Sequence, residues 1–240
     1  MKKSITIAFA FFLALAFAAP VQGQLSLRKK DEVKPKKERK LAEKDEKDQI
    51  KSIKTRAVKE ARKEAKKIKK QDFVTFPGSL PMEKQLQFVW MKQYAENNDG
   101  SPKYIFADGN GVGKIQTAAE MQAMEAAKLQ LAGQISNEVN QIIEAKIAND
   151  QIDRETGNSL SKFVAGSKNY IIQHLGYVRP GFKVYRNVGK RDLEVFVKLY
   201  YSAEEAFAAA EKALQLKAQR ELEDEADELI DEINALFKNK

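Results

Sequence analysis

The sequence of 240 residues predicts an α+β fold, with a small antiparallel or mixed three-stranded sheet packed by helices. Three observations predict it. Apolar residues recur at helical spacing in residues 82–96, two capping boxes mark further helix starts, and residues 192–201 alternate apolar and polar side chains. The expected order of elements is α-β-α-α-β-β-α, preceded by a long basic helix and followed by a long acidic helix.

Three helices are expected before the hairpin of the body, over residues 82–96, 117–148 and 159–175. Their ends carry recognisable signals. Ser79 is expected to cap the first helix, and Thr117 with Glu120 forms a capping box at the start of the second. Gly176 is placed to end the third helix, because glycine readily adopts the left-handed conformation that follows a helix.

Three strands are expected, over residues 103–107, 177–188 and 192–201. A turn at residues 189–190 joins the last two strands into a hairpin. The period of two in the last strand indicates one face toward a core and one wetter face. Ser202 and Glu205 then form the second capping box, which begins the terminal helix.

Charge divides the chain into four parts: a signal peptide at 1–23, a basic helical arm at 28–70, an α+β domain at 71–218 and an acidic helical extension at 219–240. The formal net charge of the whole chain is +8. The arm holds twenty Lys or Arg against nine Asp or Glu, whereas residues 71–240 hold twenty against twenty-five. The mature protein is therefore expected to be a mildly acidic body that carries a strongly basic arm.

The first residues have the three-part order of a cleavable secretory signal. Lys2 and Lys3 precede an apolar run over residues 5–19, and Pro20 with small residues follows. The run is shorter than the stretch of about 20 residues that spans a membrane. We therefore expect an exported chain with no transmembrane segment after cleavage.

The sequence contains no cysteine. This excludes disulfides, thiolate chemistry, cysteine-ligated zinc and the lipid-attachment thiol of a bacterial lipoprotein. The mature chain is therefore expected to depend on its apolar core for stability and to be soluble or peripherally held.

The cluster of glycines after the first strand resembles a nucleotide-binding loop but does not match one. In a P-loop alignment, Asp108 stands where the first glycine belongs and Ile115 stands where the hydroxyl belongs. The spacing of Gly109, Gly111 and Gly113 also differs from the dinucleotide fingerprint. A glycine-rich connection between strand and helix is the expected structure, and no cofactor is predicted.

No catalytic or metal-binding residue is predicted. His174 is the one histidine, and its place at a helix end indicates an interaction with terminal carbonyl groups. An EF-hand loop fails because Ala95 and Val112 occupy ligand positions. A hydrolase with carboxylates dispersed along the chain stays a third alternative, which requires an acidic pocket in the body.

The basic arm carries the strongest functional signal. Its lysines and arginines can bind a polyanion, although a solvated helical spacer would have the same composition. Nucleic acid is not expected as the partner, because the chain is exported and the arm has no aromatic residue for base stacking. The candidate polyanion-binding residues are Lys36, Lys37, Arg39, Lys40, Lys51, Lys54, Arg56, Arg62, Lys63, Lys66, Lys67, Lys69 and Lys70.

The end of the chain supplies an acidic complement to the arm. Residues 221–232 hold eight acidic residues and no basic one. Opposite charge and a thin apolar seam on each helix predict a possible pairing of arm and acidic helix, within one chain or between two.

Part of the body resembles a known family. The run IFADGNG at residues 105–111, the alanine-rich helix over 118–135 and the hairpin segments 181–185 and 193–198 resemble the LPP-twenty lipoprotein family and the N-terminal domain of the flagellar protein FlgT. The resemblance covers about residues 104–199. It implies a non-catalytic α+β module of the Gram-negative envelope, although this chain lacks the lipidated cysteine of the lipoproteins.

The expected function is that of a non-enzymatic exported protein that mediates protein–protein or envelope association. It would lie in the periplasm or at the outer membrane of a Gram-negative bacterium, with envelope proteins or an anionic envelope surface as partners. The alternative is a peripheral protein that binds lipopolysaccharide, anionic lipid or acidic polysaccharide through the basic arm.

Overall fold

The computed structural model describes residues 36–222 and 226–238, and within 36–49 it describes the side chains of residues 44, 47, 48 only. The chain divides into two compact units, residues 1–44 and 45–240, and the architecture below is that of the second. The predicted signal peptide lies outside the described residues.

Seven helices and four strands are present in the described part of the chain. The helices are α1 (Lys36–Lys69), α2 (Met82–Gln93), α3 (Gln116–Ala148), α4 (Arg154–Ala165), α5 (Lys168–His174), α6 (Ala203–Glu221) and α7 (Ala226–Phe237). The strands are β1 (Val74–Thr75), β2 (Tyr104–Gly113), β3 (Arg179–Val188) and β4 (Asp192–Ser202). They form one antiparallel sheet in the order β1-β3-β4-β2.

The α+β class is confirmed, but the sheet has four strands where three were expected, and the order of elements differs accordingly. The additional strand is β1, in which Val74 pairs with Tyr185 and Thr75 pairs with Val184. Two residues are too few to display the alternation that identifies a strand in a sequence. Only the neighbouring strand β3 makes this segment part of the sheet.

The glycine cluster is not a connection, because Gly109, Gly111 and Gly113 all lie within β2. A Cβ atom on Gly109 would lie 2.1 Å from the carbonyl oxygen of Ala123, and one on Gly111 would lie 2.2 Å from that of Ala119. The glycines therefore let helix α3 lie directly against the strand. The prediction of a glycine-rich connection was wrong, because these glycines are required by their contact with α3, and the glycine cluster itself carries no sign of that contact.

Two of the expected helix caps are also wrong. Helix α2 has Pro81 at its N-cap, and the hydroxyl of Ser79 donates instead to the carbonyl oxygen of Phe76 at 2.6 Å. Helix α3 begins one residue before Thr117 without a side-chain cap, and the Glu120 carboxylate is paired with Lys183 across the fold. A tertiary ion pair has thus taken the glutamate that a capping box requires.

The Ser202 half of the capping box expected at the start of α6 is formed, because the hydroxyl of Ser202 accepts from the backbone N–H of Glu205 at 3.5 Å. Gly176 has a φ of 62° just after α5, as expected for a helix-ending glycine. The single helix predicted over 159–175 is divided into α4 and α5. Its start was placed too late because Asp153 caps α4 through the N–H groups of the first turn.

Helices cover both faces of the sheet. Val195, Val197 and Leu199 of β4 enter the larger core, which they share with helices α3 to α7. Phe182 of β3 and Phe196 of β4 enter a second, smaller core under α1 and α2. The period of two in β4 is therefore confirmed, and the face that was expected to be wetter is covered by this second core.

The part of the basic arm nearest the body is docked on it. Ala57, Ala61, Ala65 and Ile68 form one stripe along α1 and are buried. The two central alanines and Ile68 belong to the second core. No helix in the described part of the chain is both long and apolar enough to cross a membrane.

Candidate polyanion-binding face and acidic groove

The side of α1 that faces solvent is basic, whereas the side that faces the body carries small apolar residues. An α-helix turns about 100° per residue, so Lys59, Arg62 and Lys66 point away from the buried stripe that contains Ala61. All three are exposed. With Thr55, Val58 and Lys63, they line a shallow depression of about 440 Å³. We call these six residues the basic face.

The structure brings only some of the predicted cationic residues into this face. Arg62, Lys63 and Lys66 belong to it, whereas Lys59, which also belongs, was absent from the sequence-based set. The remaining candidates with described side chains are exposed elsewhere on α1 or just after it: Lys51, Lys54, Arg56, Lys67, Lys69 and Lys70. The side chains of Lys36, Lys37, Arg39 and Lys40 lie outside the described residues.

Two of the candidate cations of α1 interact with neighbouring side chains. The Arg56 guanidinium lies 4.7 Å from the centre of the Tyr94 ring, and the Lys69 ammonium lies 3.1 Å from the Glu83 carboxylate. Within the described residues, neither Arg62 nor Lys66 forms an ion pair with a carboxylate. Their charges are therefore available to a partner in solution.

The orientation of α1 is fixed by polar contacts at the edge of the second core. The Trp90 indole N–H donates to a carboxylate oxygen of Glu64 at 2.6 Å. The Trp90 ring is half-buried at this contact. Just beyond the helix, Arg186 donates to the carbonyl oxygen of Gln71 at 3.0 Å. These contacts hold the basic face in a defined position on the body. A flexible helical spacer would have no such contacts.

A second feature is a groove of about 730 Å³ at the N-terminal end of β2, and it is an acidic pocket of the kind that the hydrolase alternative requires. Its apolar lining includes Ile105, Phe207 and Phe237, and its acidic lining consists of four carboxylates from three parts of the chain. The carboxylates belong to Asp99, Glu138, Glu204 and Glu211. No lysine or arginine among the described residues lines this acidic groove.

The loop that precedes β2 forms one wall of the acidic groove and is tightly tied. The Ser101 hydroxyl donates to Asp99 at 2.6 Å, and the Asn97 side chain donates to Ser101 at 3.0 Å. The backbone N–H of Ala203 donates to the carbonyl oxygen of Lys103 at 3.0 Å, which ties the loop to the start of α6. Hydrogen bonds from Ser101 lower the pKa of Asp99, so this carboxyl stays ionised in mildly acidic solution.

The opposite wall depends on the docking of α7. Ile233 and Leu236 are buried in the larger core, and the Lys146 ammonium donates to the carbonyl oxygen of Ala235 at 3.0 Å. These contacts position the Phe237 ring, whose centre lies 6.5 Å from that of Phe207. The apolar side of α7 is therefore buried in its own body, and Ala61 and Ala65 of α1 are buried in the second core. The apolar seams expected to join the two helices are thus used elsewhere along these stretches, and only charged sides remain for the predicted pairing.

His174 contacts a terminal carbonyl group, since its Nδ1 lies 2.7 Å from the carbonyl oxygen of Tyr170. The loop that contains Asp99 is a turn. Among the described residues, no group of three or more histidine, aspartate or glutamate side chains is arranged to hold a metal ion.

No local sequence motif identifies the acidic groove, because its residues come from the loop before β2, from α3, from α6 and from α7. Only the tertiary fold brings them together. Comparisons of this chain with protein-family models, with curated proteins and with solved structures yield no match.

Proposed function

We propose that this protein is a non-enzymatic attachment protein of the cell envelope, which binds a polyanionic surface through the basic face of α1. The observation that supports the proposal most is the docking of α1: Ala61 and Ala65 are buried, while Arg62 and Lys66 point to solvent without a carboxylate partner among the described residues. Fixed cations lose less conformational entropy on binding than the cations of a flexible spacer do.

The chemistry of the basic face fits phosphate or carboxylate groups displayed on a surface. Residues three and four apart on a helix lie about 5–6 Å from each other, so Lys59, Arg62 and Lys66 present a compact row to several anions at once. Lys63 lies beside them in an exposed ion pair with Glu60 at 3.8 Å, which is worth little in water. The aliphatic stems of Lys and Arg cover the helix while their charged ends reach outward. Lipopolysaccharide phosphates, anionic lipid head groups and acidic polysaccharides all supply such anions.

Export is the other part of the proposal, and its support is the order of charges and apolar residues over 1–23. The resemblance to envelope modules points in the same direction. Expression with and without residues 1–23, followed by fractionation of the cells, tests it. We expect the mature chain in the envelope fraction only when these residues are present.

The polyanion-binding proposal predicts the behaviour of a variant in which Lys59, Arg62, Lys63 and Lys66 are all replaced by glutamine. Each cation near an anionic membrane contributes about 1 kcal/mol of binding energy. We therefore expect affinity for anionic phospholipid vesicles to fall by roughly 100- to 1,000-fold. The same variant should elute from heparin at a much lower salt concentration, because fewer counterions are released on binding.

The matched control removes the same charge from the body, by replacing the exposed Lys84, Lys162, Lys168 and Lys212 with glutamine. We expect the control to retain at least a third of the wild-type affinity for the vesicles. Equal losses in the two variants would show that net charge alone drives binding and would refute the assignment to the basic face.

A further inference from the structure

We propose that the acidic groove binds a cationic peptide segment of a partner protein. In this complex, the aliphatic stems of lysine or arginine side chains lie on Phe207 and Phe237, and their charged ends meet Asp99, Glu204 and Glu211. The inference does not depend on the polyanion-binding proposal, because the two sites have opposite charge and different residues.

The size and lining of the acidic groove suit a ligand with an apolar part. Ligand sites in proteins enclose about 300–1,000 Å³ and are lined mostly by apolar side chains with a few polar groups. The groove has a volume of about 730 Å³ and exposes parts of two phenylalanine rings. A bare inorganic cation would leave this apolar surface in water.

The negative charge of the lining favours a positively charged ligand. The four carboxylates stand on the loop before β2, on α3 and on α6. Among the described residues that line the groove, no lysine or arginine accompanies Asp99, Glu204 and Glu211, the three carboxylates assigned to the ligand. They are not grouped closely enough for a metal ion among the described residues. Carboxylates distributed over separate walls fit cationic groups that are spaced along an extended ligand.

Lysine and arginine combine the two properties that the groove requires, an apolar stem and a charged end. Their cations also interact favourably with the faces of aromatic rings. An adjacent leucine or another large apolar residue would lie against the exposed Ala208, which also lines the groove. A peptide segment that alternates basic and apolar residues is therefore the chemistry that matches the lining.

Hydrogen bonds within the protein fix the walls of the acidic groove. Asp99 is fixed by Ser101, and the loop is tied to α6 through the hydrogen bond between Ala203 and Lys103. On the other side, the Gln215 side chain donates to Asn234 at 2.7 Å and links α6 to α7. A site held in this way loses little entropy on binding.

The experiment measures fluorescence anisotropy of a fluorescein-labelled octapeptide of alternating lysine and leucine with the mature protein. We expect saturable binding. An octapeptide of alternating lysine and serine, which has the same charge but lacks the apolar residues, should bind at least tenfold more weakly. Equal binding of the two peptides, or no saturable binding of the first, would overturn the proposal.

Two variants of the groove test its residues separately. Glu204→Gln with Glu211→Gln removes two rim charges, and we expect the dissociation constant to rise about tenfold. Ala208→Trp fills the groove without changing charge and should abolish binding. Circular dichroism and thermal unfolding of each variant establish that the fold is retained.

The matched control replaces Glu144 and Glu155, which are exposed and do not line the groove, with glutamine. Its affinity should equal that of the wild type. An equal loss in this control would reduce the effect to net charge and overturn the proposal. A wild-type dimer that separates on Glu204→Gln with Glu211→Gln would also overturn it, since a second copy would then be the occupant.

Discussion

Two glycines in β2 illustrate how one missing Cβ atom can set the distance between a strand and a helix. On Gly109 such an atom would meet backbone on two sides, at 2.1 Å from the Ala123 oxygen and 2.6 Å from the Ala127 nitrogen. Backbone cannot rotate away as a side chain can, so α3 would have to move as a unit. The alanines that face these glycines on α3 are small for the same reason.

Gly109→Ala is therefore expected to destabilise the fold by about 2–3 kcal/mol, the upper part of the usual cost of overpacking. The control is Gly133→Ala in α3, the helix that Gly109 contacts, because nothing lies within 4 Å of the new atom there. That change should stabilise the protein by up to about 1 kcal/mol, because alanine favours the helical conformation. Urea unfolding of both variants measures the difference, and a loss below about 0.5 kcal/mol for Gly109→Ala would contradict the close contact.

At the scale of elements, the docking of α1 depends on a stripe of alanines. Ala61 is 1% exposed, whereas the next residue, Arg62, is exposed to solvent. A charged side chain at the buried position has no partner, and burial of an unpaired charge is among the most costly changes in a protein. Helix α1 is attached to the body through the second core, which is much smaller than the core shared by helices α3 to α7.

Ala61→Arg should therefore detach α1 and leave the larger core folded. We expect backbone amides of residues 57–69 to lose at least tenfold of their protection from hydrogen exchange, while those of β4 keep theirs. Arg62→Ala is the control, because it changes an adjacent exposed position and should preserve protection throughout. Unchanged protection of residues 57–69 in Ala61→Arg would show that this stripe does not hold the helix.

The sequence predicted those elements whose signals are local. The alternation in β4 and the cap at Ser202 both concern residues within a few positions of each other. By contrast, the strand pairing of β1, the engagement of Glu120 by Lys183 and the close approach of Gly109 to α3 each depend on a distant segment. The basic face was predictable in composition, but its membership was not: Lys59 lines it, whereas the Arg56 guanidinium lies over the ring of Tyr94, a residue distant in sequence.

At the scale of the whole molecule, positive and negative charges are concentrated on two different surfaces and are not evenly mixed. The acidic groove offers carboxylates beside phenylalanine rings, and the basic face offers cations on a docked helix. A surface of one sign attracts its partner and repels the partner of the other surface. Such a molecule is suited to hold a basic protein segment close to an anionic surface.

If the two surfaces act independently, their variants should separate the two activities. The replacement of Lys59, Arg62, Lys63 and Lys66 by glutamine is expected to impair vesicle binding and leave the affinity for the lysine–leucine peptide within threefold of wild type. The replacement of Glu204 and Glu211 should have the opposite pattern, because substitutions at separate sites without shared partners act additively.

Both activities are measured on the same four proteins: wild type, each multiple variant and their combination. In the combined variant, each activity should equal that of the corresponding single set of substitutions. Loss of both activities in either set alone would mean that the two surfaces form one site or that the fold has been disturbed, and thermal unfolding distinguishes these outcomes. Independent losses would support a protein that joins a cationic partner to a polyanionic surface.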